Sequence, residues 1–246
     1  MSAYTVRIST DAAERSGLQP LSDTLLPPTE APDSVVWLAS SVDEPARVRA
    51  CLRLQRRIGL QGLRAWYRLG WAVHAAGELQ LFRQLRTLLL GNDWTGADEL
   101  TGFAIAPDLA EHTAQALWAA LGGAALQALA QQPGGVARPC VAELPGVLDG
   151  QGQSPFWAGL GRHFYPHELA AARQAHGPGF DGDIAALLPR HLLYASFLPA
   201  AAQAAMGQPC AAAKPLQAAL HELGFRWRDH ITVTDGGAVW VRDAAA

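Results

Sequence analysis

Lysine is almost missing from this chain: of 19 basic residues, every one but Lys214 is Arg. A lysine nucleophile or Schiff base therefore has a single possible carrier, and the Arg and Ala excess reads as genomic bias. Cysteine is scarce too. Cys51, Cys140 and Cys210 are odd in number and far apart, which argues against a disulfide framework or a paired zinc knuckle and makes a reducing cytoplasm the expected setting. There is no basic surplus, since 22 acidic against 19 basic residues leave a formal charge of -3, so neither nucleic acid nor an anionic membrane is expected as a partner. Long apolar runs are absent as well: even Leu85 to Leu90 is broken by Arg86 and Thr87, far short of the ~20 residues of a membrane span. Met1 to Ala13, with Arg7 and Asp11 inside it, carries no signal-peptide pattern.

What remains is a globular composition. With 246 residues, 50% hydrophobic, 17% charged, 24 Gly and 16 Pro, the chain can bury a sizeable core as one large domain or two small lobes. Val6 to Ile8 fits an opening strand, whereas Leu18 to Asp33, with Pro20, Pro27, Pro28 and Pro32, reads as a loop or arm. Val35 to Ala39 is a short apolar strand. Val48 to Leu54 alternates, with Leu52 and Leu54 on one side and Arg49, Cys51 and Arg53 on the other; an Arg-rich amphipathic helix over Ala46 to Leu60 competes with the strand reading. Trp66 to Val73 is a further strand. Thr87 to Leu90 and Leu100 to Ile105, separated by Gly91-Asn92-Asp93-Trp94-Thr95-Gly96, carry a hairpin signal.

Pro107-Asp108, with Asp108 as a possible cap, then opens a helix to Ala130, ended by Gln131-Gln132-Pro133-Gly134-Gly135. Pro139 to Leu144 reads as a strand, and Ser154, followed by Pro155, caps a helix to Leu160 that Gly161 closes. Phe164 to Gly182, with Pro166, Gly177, Pro178 and Gly179, is expected to be an irregular surface excursion. Pro199 to Met206 and Pro215 to Leu223 suggest short helices, the second ended by Gly224, before a strand from Phe225 to Val233 and a turn at Asp235-Gly236-Gly237. The strand-helix alternation implies a mixed α/β (α+β) sheet flanked by helices.

Familiar catalytic signatures fail one by one. His163 and His167 have zinc-helix spacing, but Pro166 interrupts them and no ligand set completes it, so no metal is expected. Gly150-Gln151-Gly152 and Gly177-Pro178-Gly179 match neither nucleotide loop, and no Gly-x-Ser-x-Gly elbow exists. The order strand (Leu100 to Ile105), helix, strand (Pro139 to Leu144), aromatic helix (Pro155 to Gly161) is similar to the cofactor half of the Gcn5-related N-acyltransferase fold. In that fold a strand offers backbone groups to pantetheine, and the next helix N-terminus, with its unpaired N–H groups, receives pyrophosphate.

In order along the chain, Trp66-Tyr67, Val73-His74-Ala75, Glu78-Leu79, Asn92-Asp93-Trp94-Thr95-Gly96, Glu99-Leu100, Pro107-Asp108, Ala142-Glu143, Gly146-Val147-Leu148-Asp149, Ser154-Pro155-Phe156-Trp157, Leu160-Gly161, Gly224-Phe225-Arg226 and Asp235-Gly236-Gly237 resemble the arginine N-succinyltransferase family. The pieces are specific in combination. They run from about Trp66 to Gly237, within a single domain, 1–246, whose first sixty residues match loosely and whose residues 61–240 are family-like.

The resemblance implies succinyl transfer from succinyl-CoA to the α-amine of arginine, the entry step of an arginine breakdown route. It brings in ornithine as an alternative acceptor and a homologous subunit as a possible homo- or hetero-oligomer partner. It implies donor contacts at Gly102, Phe103, Ala104, Ile105 and Thr113, and acceptor contacts at Asn92, Asp93, Glu99, Glu143 and Asp149, the four acids among them being the candidates to hold a guanidinium by charge-assisted bonds. Two positions depart from the family. Its glycine-rich phosphate loop is here Leu109-Ala110-Glu111-His112-Thr113-Ala114, and its proton-donating His is replaced by Cys210. Family members are also expected to continue beyond the point matching Gly237. A catalytically impaired partner subunit is the alternative these departures raise.

Overall fold

The computed structural model describes residues 4–9, 12–15, 17–21, 33–131 and 137–244. Its strands are β1 (Tyr4–Ile8), β2 (Gln19–Pro20), β3 (Ser34–Ser41), β4 (Val48–Gln55), β5 (Trp66–Ala76), β6 (Leu81–Gly91), β7 (Asp98–Ile105), β8 (Cys140–Glu143), β9 (Leu193–Tyr194), β10 (Arg226–Thr232) and β11 (Ala238–Arg242). Its helices are α1 (Glu111–Ala130), α2 (Pro155–Gly159), α3 (Leu169–His176), α4 (Phe180–Leu187), α5 (Ala200–Ala205) and α6 (Lys214–Glu222). The strands form one sheet in the order β1-β3-β4-β7-β8-β11-β10-β5-β6-β9, with β2 added on β7. Neighbours in this order run antiparallel except β7 and β8, which are parallel.

Alternation decides the β4 ambiguity in favour of a strand. Leu52 and Leu54 turn to one face, where Leu100, Ala142 and Trp240 join them against Leu117, Trp118, Leu121 and Ala125 of α1 and Leu216, Ala219 and Leu220 of α6. This dry layer is the larger core, and burying each Leu in it contributes roughly 1.5–3 kcal/mol before the entropy of ordering is subtracted. Gly122 lets the layer close: a Cβ there would stand 2.5 Å from Leu223 Cδ1. On the other face α2 to α5 bury Phe156, Trp157, Leu169, Phe180 and Ile184 against Tyr67, Leu69, Leu88, Leu90 and Ile231.

Three expectations are corrected. Thr87–Leu90 and Leu100–Ile105 do not pair: β6 lies on β5, with Tyr67 opposite Leu90, while β7 sits between β4 and β8, with four strands separating it from β6. The 92–97 turn is real but is bonded to a third segment, Gly96 N–H donating to the Ile58 carbonyl and Ile58 N–H to that of Ala97. Asp108 does not cap α1, whose N-cap is Ala110 without a side-chain bond; both Asp108 oxygens accept from Arg49 Nη2 at 2.9 Å. Phe164 to Gly182 is largely helical. Leu169 and Ala172, then Phe180 and Ile184, have the spacing of a buried helix face, and Gly177 (φ 68°) with Pro178 merely turns the chain between α3 and α4.

Elsewhere the local signals hold. Ser154 Oγ accepts the Trp157 N–H at 3.1 Å at the start of α2. Pro20 lies in β2, whereas Pro27, Pro28 and Pro32 of the expected loop, and Gln132 to Gly135 of the expected helix end, lie outside the described residues. Among the described residues no helix is long and apolar enough to cross a membrane.

Candidate active-site cleft

The site begins at a flaw in the β4–β7 pairing. Gln55 faces Glu99 and Arg53 faces Thr101, but Cys51 faces Ala104, so β7 spends three steps where β4 spends two. The extra residue is accommodated at Gly102, whose φ of 61° suits glycine. Before this bulge, Glu99 and Thr101 share the face opposite Leu100; after it the parity changes and Phe103 turns to α1, meeting the Trp118 ring edge-on at 5.5 Å. β8 accompanies β7 only from Asp98 to Leu100, and the two then part. Beyond that point the free edge of β7 is taken by this chain itself: Gln19 and Pro20 pair with Ile105 and Ala104, and Leu21 N–H donates to the Phe103 carbonyl at 2.8 Å.

A cleft of about 800 Å³ opens over this divergence, walled by β4, β7, the end of β8, the 56–64 segment and the start of α4. Charge fills it. Arg64 reaches Glu99 at 2.8 and 3.3 Å and Glu143 at 2.7 Å, while Trp66 Nε1 donates to the same Glu143 oxygen at 2.6 Å. The Glu99 side chain is only 3% exposed. Its pKa is raised, by burial first and by the Glu143 charge, against the opposing pull of Arg64. Arg64 is held more firmly in its charged form than usual: burial opposes the charge, but the two glutamates outweigh it. Farther along the wall Arg173 pairs with Asp181 at 3.5 Å and donates to Thr234 Oγ1 at 2.8 Å. The Asp235 carboxylate is tied inward, accepting from Thr232 Oγ1 and from the Gly237 N–H at 3.0 Å. Gly237 allows this turn, since a Cβ would fall 2.1 Å from the Leu144 carbonyl oxygen.

The cleft thus brings together Glu99, Glu143, Gly102 and Phe103 of the expected residues. Ala104 is fully buried beside Cys51, and Ile105 packs on the α1 layer. The other expected residues lie outside the cleft lining. Asp93 is bonded to His230 Nε2 at 2.9 Å, and the Asn92 carbonyl accepts Thr95 N–H within the same turn. Asp149 Oδ1 closes its own turn, accepting the N–H groups of Gln151 and Gln153. Thr113 contacts His112 in the first turn of α1. Cys210 donates its N–H to the carbonyl of Pro145, a cleft neighbour, and its thiol pKa is raised, chiefly by burial. Sequence reasoning missed Arg64, Arg56, Arg173 and Asp181. The density of Arg between positions 53 and 64 was the available signal, and only Arg53 stood out as the polar side of an alternating strand.

A large, mostly antiparallel sheet flanked by helices, with β7 passing through α1 into the parallel strand β8, is a Gcn5-related N-acyltransferase-like fold. The structure is similar over 99% of this chain and 77% of the other to the arginine/ornithine succinyltransferase subunit AI of Pseudomonas aeruginosa, with a TM-score of 0.75 and 22% identity. A family model described as arginine N-succinyltransferase beta subunit matches residues 29–245. The chain belongs to the arginine N-succinyltransferase family, and the match reaches into the first sixty residues as well. Among curated relatives, an arginine N-succinyltransferase of Enterobacter sp. (strain 638) is 37% identical over 171 residues, covering 70% of this chain and 49% of the relative. One of Escherichia coli O139:H28 is 34% identical over 194 residues, covering 79% of this chain and 56% of the relative. The chain spans about half the length of the curated relatives it matches.

Proposed function

We propose that this chain transfers succinyl from succinyl-CoA to the α-amine of arginine, with ornithine as a possible second acceptor, in cytoplasmic arginine catabolism. The observation that carries the reading is the clasp of Arg64 by Glu99 and Glu143: two carboxylates from adjacent strands, facing a cleft, already grip a guanidinium in the way an arginine substrate requires. In the reaction the neutral amine attacks the thioester carbonyl carbon, the C–N bond forms, and the C–S bond breaks with its electron pair leaving on sulfur. The amine proton passes to a general base. The family resemblance puts Cys210 in the proton donor's place, but burial raises its thiol pKa, so the departing thiolate takes its proton from solvent instead. Metal plays no role in this scheme, and the partners are small molecules together with a homologous subunit.

The test is direct. The purified chain is mixed with succinyl-CoA and arginine, thiol release is followed, and CoA binding is measured by calorimetry. Release dependent on arginine supports the reading; no release and no binding at millimolar ligand removes it. A second reading, a noncatalytic partner of a complete subunit, is favoured by one specific contact, the pairing of Gln19 to Leu21 along the β7 edge that the donor would use. Thiol release that appears only when a homologous subunit is added would select it.

A further inference from the structure

The guanidinium groups lining the cleft are not all spoken for. Arg57 is paired with Asp33, Arg64 with Glu99 and Glu143, and Arg173 with Asp181. Arg53 and Arg56 make no ion pair and no side-chain hydrogen bond among the described residues, and the Nε of each is sealed from solvent without an acceptor. Both residues are half-buried and line the cleft, so an anion entering it would supply the charge-assisted bonds that the described chain does not. Arg53 rises from β4 opposite Thr101, one step from the bulge, Arg56 follows the end of that strand, and both line the cleft.

We propose that Arg53 and Arg56 form a carboxylate-binding site inside this cleft. The planar fork of a guanidinium matches a carboxylate with two parallel bonds. Arg53 feels the attraction of Glu99 and the repulsion of Arg64 and Arg15, so a bound carboxylate would relieve a crowding of positive charge. Naming its occupant rests on the transferase reading above, in which both substrates supply one: the free end of the succinyl group and the α-carboxylate of arginine. The site would then discriminate a dicarboxylic acyl donor, or an α-amino acid, from analogues lacking that group.

The test uses the full chain and equilibrium calorimetry, so it needs no turnover. Succinyl-CoA is compared with butyryl-CoA, in which a methyl group replaces the carboxylate, and arginine with agmatine, which lacks the α-carboxylate. Arg53→Gln and Arg56→Gln should each weaken one member of one pair by about tenfold and leave its analogue unchanged, as expected for loss of one charge-assisted bond. Loss on succinyl-CoA identifies the acyl end as occupant; loss on arginine identifies the amino acid. Arg53→Lys should restore part of the discrimination, which a merely structural role would not do. Equal effects on both members of both pairs, no effect on any, or no binding of any ligand by the parent chain overturns the site. Arg53-dependent binding without thiol release keeps the site and removes the transferase reading. Thiol release with discrimination unaltered in both variants does the reverse.

Discussion

β4 and β7 present two unlike faces to two unlike surroundings. Toward α1 and α6 they offer Leu52, Leu54 and Leu100, all buried, in a layer without charge. Toward the cleft the alternate positions are Arg53, Gln55, Glu99 and Thr101. The strands are therefore built once and used twice: the apolar set fixes the sheet, and that rigidity lets its neighbours hold buried charge in fixed geometry.

Substitutions can break this contrast in order of effect. Leu121→Ala, on the dry side, should cost about 3–4 kcal/mol in urea unfolding, since the fully buried side chain leaves a cavity. Ligand affinity of the folded fraction should stay unchanged. Arg64→Met, on the cleft side, should cost about 2 kcal/mol at neutral pH by leaving Glu99 and Glu143 facing each other. Mild acid should recover that loss by protonating Glu99, whose pKa is raised, whereas an equal loss at every pH would mean the clasp acts through packing alone.

The pH dependence of the parent chain sharpens the point. Because the folded pKa of Glu99 is raised, the native state binds this proton more tightly than the unfolded chain. Its contribution to stability is therefore greatest below the ordinary glutamate range and declines as pH climbs from that range through the raised value. Glu99→Gln should remove this fall from a series of thermal unfolding curves; a slope that persists assigns it to another group. Cys210→Ala should have the smallest effect. With its thiol pKa raised by burial, Cys210 is a weaker acid than a free thiol, so kcat should change less than about threefold with an unaltered pH profile. A tenfold or larger drop with a displaced alkaline limb would give the thiol the acid's role.

The sequence displayed the features that are local. Alternation around Leu52 and Leu54, the cap at Ser154 and the run from Glu111 to Ala130 all depend on residues within a turn or two of one another. Pairing is different. Nothing near Leu100 says that β7 will leave β6 for β4, because the partners are chosen by burial on both faces of a central strand. The α3–α4 pair was hidden by its own punctuation: Gly177 and Pro178 drew notice away from the spacing of Leu169, Ala172, Phe180 and Ile184. The clasp joins residues 35 and 79 positions apart. Family likeness pointed to its two glutamates, but no local pattern could supply the arginine between them. Phe103 illustrates the converse, for the bulge at Gly102 reversed the side its place in an alternating strand implied.

The tiny strand Gln19–Pro20 has a further effect on how the molecule behaves in a crowd. Where β8 turns away, β7 would otherwise present bare amide and carbonyl groups, an adhesive rim onto which any extended foreign peptide could stack. A covering that ends in proline supplies no N–H at Pro20 for the next layer, so the rim is sealed by something that cannot itself be extended there.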